Sequence, residues 1–71
     1  MVDLEFGSII NFSGFGWIKF DGEWIAREFQ NHLGKFRSRT ARDRNIILVE
    51  DPCGVWYKFN LNEQCEITKI K

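Results

Sequence analysis

The residues of this chain best suited to chemistry are aromatic and basic, and they recur at a spacing of two. Phe15 and Trp17 flank Gly16 in the stretch SGFGWIKFDG, and Lys19 follows two residues later. On a strand, residues two apart project from one face. Two rings with only a glycine between them would make a platform for unpaired bases, each stacked base being worth about 1–3 kcal/mol, with a lysine beside it for phosphate. Trp56 and Lys58 repeat the aromatic-basic spacing near the C-terminus, and Arg37 and Arg39 supply two further cations at the same interval. Phe15, Trp17, Lys19, Arg37, Arg39, Trp56 and Lys58 are therefore the candidate nucleic-acid-binding residues. Trp17, Trp24 and Trp56 would serve just as well as anchors for a protein or for the apolar face of a sugar ring. In a third arrangement they are buried and close the ends of a small barrel.

Charge constrains these readings. Ten Lys and Arg balance ten Asp and Glu, giving zero formal net charge, which excludes polyanion binding by bulk electrostatics. The balance is uneven along the chain. Residues 34–44 carry Lys35, Arg37, Arg39, Arg42 and Arg44 against Asp43 alone, about +4 locally, and the remainder carries about −4. Such a basic stripe could track a phosphate backbone. Alternatively, its arginines pair across strands with Glu28, Glu50 or Asp51.

Catalytic and metal chemistry find little support. His32 is the only histidine, set among Gln30, Asn31 and Gly34 in an expected loop, with no Ser or Cys placed beside it by a nucleophile motif. Asp21, Glu23 and Glu28 flank a hairpin, and short strands offer little of the cleft that paired-carboxylate chemistry requires. His32, Cys53 and Cys65 match no metal-ligand spacing. A non-catalytic binding module is expected, with no catalytic residues, metal or cofactor. Cys53 and Cys65 are too few for a disulfide framework and form no C-x-x-C pair, so free thiols are expected. A bridge closing their roughly 12-residue loop would add on the order of 3 kcal/mol.

The elements that must position these residues read as strands. Short runs rich in Val, Ile, Phe, Trp and Tyr recur between turn residues, whereas helix-period spacing is weak. Seven candidates result, at residues 4–12, 15–20, 23–29, 35–40, 45–49, 55–61 and 66–70. Asp21-Gly22 is a strong two-residue hairpin signal. Gln30 to Gly34 reads as a loop or one helical turn closed by a left-handed Gly34, and Asp51-Pro52-Cys53-Gly54 and residues 60–64 read as turns. Alternation buries Ile18, Phe20, Phe36, Val55, Tyr57, Phe59 and Leu61, and sends Phe15, Trp17, Lys19, Arg37, Arg39, Trp56 and Lys58 outward. The expected fold is all-β, a single domain over residues 1–71 in which an antiparallel meander closes into a small barrel, OB-like or similar, because closure removes exposed edges. No apolar run is long enough to cross a bilayer, and the opening MVDLEFGSII lacks the pattern of a signal peptide. A cytoplasmic location without membrane contact is expected.

The segment around SGFGWIKF resembles the first ribonucleoprotein motif of the cold-shock domain family, whose consensus is close to K-G-F-G-F-I. Chain length and the all-β reading agree with that family. The resemblance covers about residues 7–29 and implies a five-stranded OB-type barrel binding single-stranded RNA or DNA. Phe15 and Trp17 would be its stacking residues, Gly14 and Gly16 the motif glycines, and Ile18 a core residue. The chain departs from the pattern in three places. Ser13 replaces the usual Lys, the segment between Gly7 and Gly14 is shorter, and the second motif, near V-F-V-H-F, is matched at best by residues 25–29 with Glu28 at the His position. A carboxylate there would oppose phosphate. The expected partners are thus single-stranded RNA or DNA, or else a protein or glycan, and exposed sheet edges allow a monomer or a homodimer.

Overall fold

A computed structural model describes residues 4–70 of the chain, which form five strands: β1 (Ile9–Phe20), β2 (Glu23–Arg39), β3 (Ile46–Glu50), β4 (Trp56–Asn60) and β5 (Cys65–Lys69). All pairings are antiparallel. β1 pairs with β2, β2 with β3 and β3 with β4, and β4 returns to β1, so the hydrogen-bonded pairs close a ring of four strands. β5 adds to the first half of β1, from Ile10 to Gly14. The expected all-β antiparallel meander is what the chain builds. Of the span expected as one domain, residues 1–3 and 71 lie outside the described residues.

Seven expected strands become five because two predicted breaks are bends. The register shifts where Ser13 alone on β1 opposes Gln30 and Asn31 on β2, between the pairs Phe12–His32 and Gly14–Phe29. Gly14 at φ 98° and Asn31 at φ 46° absorb the mismatch. The chain therefore bends through both points without leaving the sheet, and Gln30 to Gly34 is strand, not loop. Gly34 is no left-handed cap; a Cβ there would lie 2.6 Å from Val49 Cγ1 and 3.0 Å from Phe12 Cε2. Bent long strands can serve two partners, and β1 gives its first half to β5 and its second to β4.

The core lies inside the ring. Ile10, Phe12, Ile47, Val49 and Phe59 are fully buried, with Leu4, Phe29, Phe36, Tyr57 and Ile67 completing the cluster. The Phe12 ring centre lies 4.9 Å from that of Phe59 and 5.1 Å from that of Tyr57, so aromatic bulk compensates for the short strands. Alternation holds along β4, where Tyr57 and Phe59 are buried and Trp56, Lys58 and Asn60 are half-exposed on the other side. It fails for Phe20, expected inside and 67% exposed, because the end of the β1–β2 hairpin projects past the core.

Two turns hold as expected. Asp21 and Gly22 both have positive φ, 51° and 80°, closing a two-residue hairpin with Phe20 opposite Glu23. Asp51 organises the other: its Oδ1 accepts the N–H groups of Cys53 and Val55, and its Oδ2 accepts the Tyr57 hydroxyl at 2.9 Å. Burial, reinforced by the Asp51 hydrogen bond and charge, pushes the Tyr57 phenol up to about 12. Cys53 is exposed and Cys65 half-buried, and both are free thiols. Burial and the nearby Glu63 raise the Cys65 pKa. Among the described residues no helix is long and apolar enough to cross a membrane.

Candidate nucleic-acid interface

Strand register assembles an aromatic and basic patch on the outer face of the ring. Ala26 on β2, Trp17 on β1, Lys58 on β4 and Leu48 on β3 form one cross-strand row, and residues paired in this way project from the same side. Phe15 joins Trp17 along β1, their ring centres 5.2 Å apart and nearly perpendicular. The Lys58 ammonium lies 5.3 Å from the Trp17 ring centre and 4.8 Å from that of Trp24. Lys19, opposite Trp24 in the hairpin, places its own ammonium 5.8 Å from the same ring. Two lysines thus converge on one indole, each at cation–π distance.

Gly16 makes this approach possible. A Cβ at that position would lie 2.6 Å from Phe59 Cδ2 and 2.9 Å from the Lys58 carbonyl oxygen. Only a bare backbone lets β1 pack this close to β4.

A second cluster adjoins the first along β4, where Trp56 lies two residues from Lys58. Arg37 is the extra residue of a bulge between the pairs Phe36–Val49 and Ser38–Leu48. Its guanidinium carbon lies 4.9 Å from the Phe6 ring centre and 5.8 Å from that of Trp56. Its Nη1 is 3.6 Å from Glu50 Oε1, and Glu50 is the cross-strand partner of Trp56. The expected pairing of an arginine with Glu50 is therefore present, in a half-exposed setting where such pairs contribute little.

The same bulge overturns the expectation for Arg39. One extra residue reverses the facing of everything after it, so Arg39 pairs with the fully buried Ile47 and projects from the inner side. Its guanidinium lies 5.9 Å from the Phe36 ring centre, and Nη1 donates to the Arg44 carbonyl at 2.7 Å. Arg39 braces the loop at residues 40–45 and does not join the outer patch. Phe15, Trp17, Lys19, Trp56, Lys58 and Arg37 do share that face.

None of the three tryptophans belongs to the core; each is half-buried. The arrangement that hides them in barrel ends is not the one adopted. Trp24 is absent from the nucleic-acid set read from sequence, yet it receives two lysines. The hairpin register makes the Lys19 contact readable, whereas the reach from Lys58 requires knowing that β4 returns to β1. Phe6, 71% exposed against Arg37, carries no such signal.

Carboxylates moderate the patch. Glu28 sits opposite Phe15, and Glu50 pairs with Arg37, so the face is richer in aromatic surface than in net positive charge. His32 stacks on Phe12 at 5.7 Å, with Nδ1 3.0 Å from the Gln30 carbonyl oxygen. Among the described residues no group of three His, Cys, Asp or Glu side chains is placed to hold a metal ion. No family model, curated protein or solved structure compared with this chain matches it.

Proposed function

We propose that the outer face is a binding surface for single-stranded nucleic acid and that the chain acts as a non-catalytic binding module. The observation that carries this reading is the Lys58 ammonium held against the rings of both Trp17 and Trp24, with the Lys19 ammonium 5.8 Å from the Trp24 ring centre. Cation–π contacts are worth about 0.5–1 kcal/mol each at exposed sites, so moving Lys58 from its two half-buried rings to a phosphate costs on the order of 1–2 kcal/mol. The vacated indole is then open to a base, where stacking is worth about 1–3 kcal/mol. Trp56 and Arg37 extend the same pattern along β4. The motif around Phe15 and Trp17, which resembles that of the cold-shock domain, supports the same ligand class.

Tryptophan fluorescence tests this directly. A mixed-sequence single-stranded oligonucleotide is expected to quench emission at low salt, and added salt to reverse it. Absence of quenching at low salt would sink the proposal. The carboxylates Glu28 and Glu50 on the same face favour one second reading, a protein or glycan docking on the tryptophans. Its mark is salt-insensitive capture of such a ligand by a protein whose fluorescence ignores the oligonucleotide.

A further inference from the structure

β2 has an edge that the ring leaves open. It pairs with β1 from Glu23 to Lys35, but with β3 only from Lys35 to Arg39, so among the described residues no strand covers the other edge between 23 and 34. The hairpin fixes which backbone groups face that edge. A two-residue loop makes Phe20–Glu23 a hydrogen-bonded pair, and such pairs alternate along an antiparallel ladder. Glu23, Ile25 and Arg27 therefore direct their N–H and C=O groups to β1, while those of Trp24, Ala26 and Glu28 point outward. Natural edges are commonly blunted by proline, charged side chains or a bulge. Residues 23–29 contain no proline and no register shift, and their charges, Glu23, Arg27 and Glu28, are of mixed sign, so they repel a second strand only in registers that set like charges opposite one another.

We propose that this edge is a self-association site, in which a second copy of the chain adds its β2 antiparallel about a two-fold axis at Ile25. The backbone phase allows that register, because Trp24 and Ala26 of the second copy both present free groups and would exchange hydrogen bonds. The side chains select it. Glu23 falls opposite Arg27 of the second copy, twice by symmetry; the large Trp24 falls opposite the small Ala26; and Ile25, 37% exposed, meets its own counterpart. Moving the axis to Ala26 would set Ile25 against arginine and Glu23 against Phe29. An axis at Trp24 would set Glu23 against Ile25. Only the Ile25 register pairs opposite charges and apolar with apolar. The pairing extends one sheet across both copies, with both Trp24 side chains on its outer face.

Charge exchange tests the register itself. In sedimentation equilibrium the unmodified chain is expected to have the mass of two copies. Glu23→Arg and Arg27→Glu are each expected to be monomeric, since each places like charges opposite one another. Mixing these two variants is expected to restore a dimer, because each supplies what the other lacks. Both positions are exposed, and retained far-ultraviolet circular dichroism and thermal transitions would show the variants folded. A monomeric unmodified chain, dimeric single variants, or a mixture that stays monomeric would each overturn the proposal. Oligonucleotide binding is read separately, so failure here leaves the outer-face reading to its own test.

Discussion

The ammonium of Lys58 lies 4.8 Å from the ring centre of Trp24 although their strands are not neighbours. β1 runs between them, paired with β2 on one side and β4 on the other. Lys58 is the cross-strand partner of Trp17, and its ammonium lies 5.3 Å from that ring as well, so the contact reaches from β4 across β1 to β2. The outer patch is thus a product of ring closure, and it couples one face of three strands.

Removing that ammonium is expected to change electrostatics without changing the fold. Lys19, Lys58 and Arg37 are the cations of the patch, so the slope of log affinity against log salt is expected near about −2, at roughly 0.7 per contact for single strands. Lys58→Met is expected to reduce its magnitude by about 0.7. Fluorescence titrations across a salt series give both values.

Trp24→Ala is expected to weaken oligonucleotide binding by about 1–3 kcal/mol, the usual cost of losing one stacking ring. Its effect on stability is expected to be much smaller than that of Phe59→Ala, which empties a fully buried site at a typical cost of about 3–5 kcal/mol. Chemical denaturation and binding isotherms on the same two variants separate the roles.

Gly16→Ala is expected to destabilise the fold by about 1–3 kcal/mol through overpacking, since the added methyl meets the Phe59 ring and the Lys58 backbone. The backbone cannot yield as a flexible side chain would. Thermal unfolding should show the loss, and fluorescence should show weaker oligonucleotide binding as β1 and β4 separate.

Tyr57 links stability to alkaline pH. Its phenol rises from an ordinary 10.0 to about 12 in the folded chain, so the folded state holds the proton more tightly than the unfolded state. The resulting stabilisation is complete below pH 10, declines as pH rises from 10 towards 12, and amounts to on the order of 2 kcal/mol. Tyr57→Phe is expected to flatten denaturation midpoints over that window. A variant retaining the full alkaline loss would assign it to other groups.

Much of this architecture is legible in local chemistry. Asp21-Gly22 demands a primed hairpin turn, Asp51 to Gly54 carries its own turn signals, and strict alternation in Val55 to Leu61 separates Tyr57 and Phe59 from Trp56 and Lys58. Bulges are not legible. Gly14 and Asn31 bend continuous strands where glycine and polar residues read as breaks, and the extra residue at Arg37 reverses Arg39. These outcomes depend on partner strands remote in sequence. For the same reason spacing alone places Phe15 and Trp17 on one face, while it cannot place Trp24 beside Lys58.

Each tryptophan contributes one indole N–H signal to a proton–nitrogen correlation spectrum, which makes the patch observable residue by residue. On addition of a single-stranded oligonucleotide at low salt, the Trp17 and Trp24 indole signals are expected to shift most, Trp56 to follow, and the backbone amides of residues 40–45 to move little. Indole signals that stay fixed, or shifts confined to the arginines of that loop, would contradict binding through the outer face.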